Sequence, residues 1–426
     1  MPSGILLRTL RGRDHAASSL MTRLSENVML TSFGRSFSTN CTGKSHIGID
    51  FGNTSTRVAV MEGNKARIIQ NFPSVVSFND KGECIIGTPA KQLGVKNPTS
   101  TVCMIKRLLG KKYDDPEIQE EMKMVPYKIV GAPNGDAWVK VCERVYSADQ
   151  IVSIILINAK KSAESYLGKS VYDAVVTYPT DWDDEQFRGS FHAGLMAGID
   201  IQIGMKTTVA AAISYGLISK EGRIAVIDIG GRTCDVSILE IDKNKFNPVA
   251  SKIDFFLGGK DYDDALMMYL INEFKRTEAI DLTKDKSTLQ RLCEAAEKAK
   301  IELSSTHETG IYLPFIASDA SGTKHLNITI TRSMFESLVM YLIERTRTTC
   351  ESCLRKAGIT SKEVNEVLLV GGMARVPILQ HIVAEIFGKH PTPSNGVNPD
   401  EAAALGAAAA IQAGQLDQDV FELLRR

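Results

Sequence analysis

Two acidic residues, each set beside a glycine turn, carry most of the chemistry this sequence offers. One lies in Gly48-Ile49-Asp50-Phe51-Gly52-Asn53-Thr54 and the other in Asp228-Ile229-Gly230-Gly231-Arg232-Thr233-Cys234-Asp235. Each Asp ends a short apolar run, His46 to Ile49 and Ile224 to Ile227, and is followed by glycine and then a hydroxyl residue. Without a Cβ, glycine lets backbone N–H groups come close to phosphate oxygens. The carboxylate can hold a Mg²⁺ ion that keeps most of its water. A single turn of this kind is common. Two matching ones, one in each half of the chain, predict a duplicated fold that grips a nucleotide between its lobes. The nucleotide cannot rest on a P-loop instead. Gly43-Lys44-Ser45 and Gly168-Lys169-Ser170 lack the required upstream glycine, which falls on Ser38 and Ala163.

The elements that must position these turns alternate between strand and helix. The first loop is expected to continue into a hairpin strand at Val58 to Met61. A helix is predicted over Asp149 to Tyr166, started at Ser147. A strand follows at Val171 to Thr177, then helices at Glu185 to Ala197 and Ala210 to Leu217. The second half repeats the scheme. Strands are predicted at Arg223 to Ile229 and Val236 to Ile241, and helices at Asp261 to Thr277, after Gly258-Gly259, and at Leu289 to Ser304. A helical pattern covers Phe335 to Ala357. A strand at Val364 to Val370 runs into Gly371-Gly372, with a helix at Val376 to Phe387 behind it. The alanine-rich stretch Ala402 to Ile411 reads as a helix whose small side chains allow close approach. This is an α/β pattern in two lobes, each with an inserted subdomain.

The chain has 426 residues, 43% hydrophobic and 23% charged, with a formal net charge of zero. Its charges are interspersed, so nothing marks a nucleic-acid partner. No apolar run reaches the roughly 18 residues a membrane helix needs. Eight cysteines are scattered, and Cys350 and Cys353 form the only Cys-x-x-Cys. Within a helical pattern and with no second pair, these two read as packing residues. The seven histidines show no metal-ligand spacing, and His192 and His381 read as surface or partly buried residues. Residues 1–40 differ from the rest. They hold Arg8, Arg11, Arg13, Arg23 and Arg35, many Ser and Thr, and only two acids, Asp14 and Glu26. This is the composition of an organellar transit peptide.

Read with these motifs in order, the chain from about His46 to Leu424 resembles the ATPase domain of the heat-shock protein 70 (DnaK-type) chaperones. The mitochondrial branch is nearest, on segments such as Glu121-Met122-Lys123-Met124-Val125-Pro126-Tyr127, Asn272-Glu273-Phe274-Lys275-Arg276-Thr277 and Leu369-Val370-Gly371-Gly372-Met373. The resemblance implies an actin-like (ribonuclease H-like, duplicated) two-lobed ATPase fold. It implies ATP or ADP with Mg²⁺ as ligands, and a mitochondrial matrix address. Asp50 and Asp228 would hold Mg²⁺ through water. Gly52, Asn53, Thr54, Gly230, Gly231 and Thr233 would cradle phosphates, with Gly258 and Gly259 alongside. Lys106 would reach the γ-phosphate and the attacking water. Glu297, Lys300 and Ser304, spaced three and four apart on one helix face, would bind adenosine. Gly371, Gly372 and Arg375 would underlie adenine, and Asp400 would sit beside the ribose.

The sequence departs from the family pattern in several places. The family's Asn-Glu-Pro-Thr segment is missing, and without gaps its Glu, Pro and Thr fall on Thr207, Thr208 and Val209. Its Ala-Tyr-Phe-Asn-Asp segment is replaced by Thr180 to Asp184, and the Arg that follows falls on Phe187. Asn53 stands for a Thr, and Arg232 stands for a third Gly, where it either donates to phosphate or crowds the turn. These changes lead us to expect slow ATP hydrolysis linked to protein folding. The alternative is a non-hydrolysing module that titrates co-chaperones. The expected division is a leader at 1–40, lobe I at 41–217, lobe II at 218–416 and a shortened linker at 417–426. No client-binding groove is expected. The expected partners are a GrpE-type nucleotide exchange factor and J-proteins.

Overall fold

Two sheets with the same connectivity organise the chain. In the first, the spatial order is Asp200–Lys206, Asp173–Tyr178, His46–Phe51, Ser55–Glu62, Lys65–Pro73. The first three strands run parallel and the last two complete an antiparallel meander. In the second, the order is Glu366–Val370, Gly222–Ile229, Cys234–Asp242, Lys245–Asp254. Here too a strand pairs parallel on one side and opens an antiparallel meander on the other. The predicted duplication is therefore present in four strands of each sheet, and the first sheet carries Asp200–Lys206 as a fifth. The computed structural model describes residues 46–410 apart from 244 and 321. The leader at 1–40 and the linker at 417–426 lie outside the described residues.

The apolar runs are strands buried on both faces, which accounts for their lack of alternation. In Gly222–Ile229, Ala225, Ile227 and Ile229 enter a large core with Tyr262, Leu266 and Phe335. Ile224 and Val226 point the other way, onto Ala211, Ala212 and Leu368. In the first strand, Ile47, Ile49 and Phe51 enter the core of the other lobe. Gly48 faces the helix Ala402–Ala410, and a Cβ there would lie 2.4 Å from the Ala408 nitrogen. The same helix lies against Thr207–Ser214 so closely that a Cβ on Gly406 would stand 1.7 Å from the Ala210 carbonyl oxygen. The small residues of this stretch do permit close approach. The helix falls in the range assigned to lobe II, yet it packs on the first sheet, against Gly48, Ala59 and their neighbours.

Most expected elements are present within a few residues. Ser147 starts the helix Ala148–Leu167 with a capping box. Cys350 and Cys353 are fully buried free thiols. Three differences stand out. The helix expected at 210–217 is Thr207–Ser214, ended by Gly216 at φ 72°. The pattern at 335–357 is two helices, Arg332–Leu338 and Met340–Ala357, broken at Val339. Two strands of the main sheets, Asp200–Lys206 and Lys245–Asp254, were not expected, and neither was the hairpin Glu308–Asp319 with Gly322–Thr331. Among the described residues, no helix is long and apolar enough to cross a membrane.

Candidate functional site

Each meander brings a matched pair of side chains to one place. Antiparallel register sets Asp50 opposite Arg57 in the first and Asp228 opposite Asp235 in the second. Directly opposed residues share a face. Both turns are closed by backbone. Gly52 N–H donates to Ser55 at 3.0 Å and Gly230 N–H donates to Thr233 at 3.0 Å. The two turns meet, since a Cβ on Gly231 would lie 2.4 Å from Thr54 Cγ2. Gly258 approaches the second turn just as closely, since a Cβ on it would stand 2.3 Å from the Arg232 nitrogen, while Gly259 N–H donates to the Gly230 carbonyl at 2.9 Å.

Lys106 enters from the 3₁₀ turn Ile105–Leu108, reached through Met104 in the left-handed region. It is 6% exposed. Its ammonium donates to the Phe51 carbonyl and lies 5.4 Å from the Phe51 ring and 5.2 Å from the Trp182 ring. Asp50 accepts from Thr177 Oγ1 at 2.7 Å. Asp235 accepts from the Thr180 hydroxyl at 2.8 Å and from its N–H at 3.2 Å.

The electrostatics follow from this crowding. Burial, with Asp50 and Asp235 nearby, pushes the Asp228 carboxyl up to about 7. Burial also raises Asp235 to about 6, against the Thr180 hydrogen bonds. Burial lowers Lys106 to about 8, opposed by Asp50, Asp228, Asp235 and Asp181. Several acids thus share few cations, a setting that favours an added positive ion. Among the described residues, no three ligating side chains gather closely enough to hold a metal directly. The donor set fits a hydrated Mg²⁺ ion held through water by Asp50 and Asp228. Three orphaned polar atoms lie around the turns: Asn53 Oδ1, Arg57 Nε and Arg232 Nε. Two of them are donors, as an anionic ligand requires.

A second group lies along the helix Lys286–Leu303. Lys300 is buried, 2.8 Å from Asp263 Oδ1, and donates to the Gly259 carbonyl at 3.0 Å. Glu297 is half-exposed and 3.6 Å from Lys91 Nζ. Ser304 is the residue that caps this helix, and its hydroxyl donates to the Lys300 carbonyl at 3.3 Å. A third group follows the strand Glu366–Val370. Gly371, at φ 83°, lets the chain pass Asp228, where a Cβ would stand 2.6 Å from its Oδ1. A Cβ on Gly372 would stand 2.9 Å from Asp400 Oδ1. Arg375 pairs with Asp400 at 2.5 Å and with Asn398.

Arg232 does not crowd its turn. Its guanidinium leaves it for Asp261, at 3.3 Å, and Met124 Sδ, at 3.7 Å. Thr207 gives its hydroxyl to the Tyr178 carbonyl at 3.0 Å and brings no charge. Tyr178, Trp182 and Phe187 gather into one aromatic cluster beside Lys106, with Phe187 4.3 Å from Tyr178 and 5.8 Å from Trp182, centroid to centroid. Sequence reading gave no role to Arg57, Asp235, Thr177, Thr180 or Asp263. Hairpin register would have found the first two, because counting outward from each turn sets them opposite the two acids already singled out.

Compared with known families, residues 46–424 match the one described as Hsp70 protein. The chain belongs to the Hsp70 family. Its fold is accordingly the actin-like, two-lobed ATPase fold, in agreement with the two sheets of like connectivity. The Hsp70-family relatives include the protein named heat shock 70 kDa protein, mitochondrial, from Solanum tuberosum. It is 54% identical over 443 aligned positions, covering 100% of this chain and 64% of that protein. The protein of the same name from Pisum sativum is 54% identical over 434 positions, covering 98% of this chain and 64% of its own length. The chain thus spans 64% of the length of these Hsp70 relatives.

Proposed function

We propose that this chain binds ATP and ADP with Mg²⁺ in the cleft between its lobes and hydrolyses ATP slowly, as the ATPase part of a mitochondrial Hsp70-type chaperone. The observation that carries this reading is the convergence of Asp50, Asp228 and Lys106 beside two glycine turns that touch each other. Asp50 and Asp228 hold hydrated Mg²⁺, which, when bound, offsets charge on the phosphate oxygens. Lys106 feels the charge of both acids, and its ammonium reaches a terminal phosphate and orients water. Gly52, Asn53, Thr54, Gly230, Gly231 and Thr233 form the phosphate cradle, with Gly258 and Gly259 behind it. Lys300, Glu297 and Ser304 flank the nucleoside from one side. Gly371, Gly372, Arg375 and Asp400 flank it from the other. Phosphoryl transfer to water needs little beyond positioning and charge stabilisation, so these residues suffice for turnover. Thr207 contributes no carboxylate, which supports a slow rate.

Among the described residues, we assign 46–217 together with the helix Ala402–Ala410 to one lobe and 218–401 to the other. J-proteins and a GrpE-type exchange factor are the proposed partners. The matrix is the proposed location, on the names of the relatives and on the composition of residues 1–40. Residues 1–45 fused to a fluorescent reporter should colocalise with a mitochondrial dye, and cytosolic or plastid signal counts against this.

Melting with and without MgATP tests the central reading. A ligand that binds only the folded state stabilises by about 2.7 kcal/mol at one hundred times its dissociation constant. An unmoved melting temperature at saturating MgATP, with EDTA also without effect, overturns it. A second reading, a non-hydrolysing module that occupies co-chaperones, is favoured by the uncharged Thr207. Nucleotide binding without phosphate release in a single-turnover assay would select it.

A further inference from the structure

The two meanders are equivalent in fold but opposite in charge at one position. Where the second presents Asp235 across from Asp228, the first presents Arg57 across from Asp50. Both positions face the shared site. The fold therefore sets a permanently charged guanidinium at a position aimed at the ligand.

The surroundings of Arg57 hold it loosely. Its Nη1 lies 3.5 Å from Asp50 Oδ2 and its Nη2 lies 4.0 Å from Asp400 Oδ1, with 17% of the side chain exposed. Both distances exceed the 2.7–3.2 Å of ordinary N–H···O bonds. The two carboxylates thus retain the group by charge and leave its donors unspent. Its Nε is buried and has no partner. A guanidinium has five donors in a rigid fork that matches phosphate oxygens. A buried donor without a partner is costly to leave unmade, so the group is poised for an acceptor that enters the cleft. Asp400 is itself occupied by Arg375 at 2.5 Å, which frees Arg57 to turn toward such an acceptor.

We propose that Arg57 is a resident cation of the nucleotide site. Held between Asp50 and Asp400, its guanidinium donates to the phosphate oxygens of a bound nucleoside di- or triphosphate. It thereby takes over part of the charge compensation that a divalent cation would otherwise supply. This deepens the nucleotide reading and rests on it. It requires phosphate binding to persist when Mg²⁺ is withdrawn, and to become strictly Mg²⁺-dependent when Arg57 loses its charge.

The test is a titration of the full chain with a fluorescent ADP analogue, in excess Mg²⁺ and in EDTA, for the unmodified protein, Arg57→Gln and Arg57→Lys. The unmodified protein should lose about tenfold in affinity, or less, on removal of Mg²⁺. Arg57→Gln should lose at least about tenfold more than that. Arg57→Lys, which keeps the charge without the fork, should fall between them. Equal ratios of EDTA to Mg²⁺ dissociation constants in all three proteins overturn the proposal. A companion measurement needs no variant. In EDTA the unmodified protein should bind ADP about tenfold or more tightly than adenosine, and equal affinities overturn the proposal even if Arg57→Gln fails to fold. No binding of any nucleotide with Mg²⁺ present overturns the nucleotide reading itself, which is a separate outcome.

Discussion

Thr207 is the residue on which the proposed rate turns. It opens the helix Thr207–Ser214, and its hydroxyl is spent on the Tyr178 carbonyl. Thr177, next to Tyr178 on that strand, holds Asp50, so position 207 is one step from Asp50. A carboxylate there would add charge for positioning water. At the first turn of a helix it would also be favoured by the macrodipole, by about 0.3–1 kcal/mol. Thr207→Glu should raise the single-turnover rate of ATP hydrolysis without loss of stability, the missing group accounting for on the order of 10²-fold. Because Arg232 is drawn off to Asp261, no accompanying change at Arg232 should be needed. A Thr207→Glu protein that folds, binds ATP and hydrolyses it no faster than the parent would remove the reason given for slow turnover. At this scale the sequence showed which residue types met, because acids and glycines beside apolar runs are local features. It hid Arg57 and Asp235, whose importance comes from pairing across a turn. It also hid the fate of Arg232, which depends on Asp261 from a distant helix start.

Individual elements make two further claims. The helices Ala148–Leu167 and Asp184–Met196 are tied by His192 Nδ1 and Asp149 Oδ2, 2.6 Å apart. The hydrogen bond to Asp149 raises the His192 imidazole above its usual value, with burial opposing it. Burial acts to raise Asp149, but hydrogen bonds from His192 and Ser147 outweigh it and hold the carboxyl below its usual range. A raised histidine contributes stability that is fully present below its unfolded value of about 6.5 and lost as pH climbs through the folded one. A lowered carboxyl contributes above about 3.9 and loses its share in acid. His192→Gln should therefore lower the melting temperature slightly at pH 5.5 and leave it unchanged at pH 8.5. With His192 half-exposed, the effect stays well under ~1 kcal/mol. A constant difference across that range would deny the pair this role. Between Ala402–Ala410 and Thr207–Ser214, Gly406→Ala places a methyl where the Ala210 carbonyl already stands. Backbone cannot give way as a side chain does, so the cost should be about 3 kcal/mol, the top of the usual overpacking range. A variant that melts with the parent would mean the helices separate freely. Long periodic helices and apolar strands were legible from sequence. The strands Asp200–Lys206 and Lys245–Asp254 were not, because both lie at sheet edges, where burial leaves a weaker pattern.

Across the whole molecule, the two lobes are also linked by a pair outside the phosphate turns. Lys91, on Thr88–Lys96, lies 3.6 Å from Glu297, on Lys286–Leu303. Both side chains are about half-exposed, so the pair adds little to stability, about 0–1 kcal/mol. Its position between the two lobes matters more than its strength. Lys91→Ala should leave the melting temperature nearly unmoved while speeding nucleotide release a few-fold and reducing the sensitivity of that rate to salt. Release at an unchanged rate would mean the cleft opens elsewhere. The two-lobed plan itself was readable, because the same turn occurs twice. The return of the last alanine helix to the first sheet was not, since a run of small residues gives no hint of which partner it will meet.

That return has a consequence for how the protein is made. The strand His46–Phe51 and the residues around Ala59 leave the ribosome well before the helix Ala402–Ala410 that covers them. At translation rates of roughly 5–20 residues per second, the interval is on the order of 20–70 s. Through that time the inner face of the first sheet waits without its lid. Until that helix arrives, the sheet has an uncovered apolar face, the very condition that chaperones exist to guard.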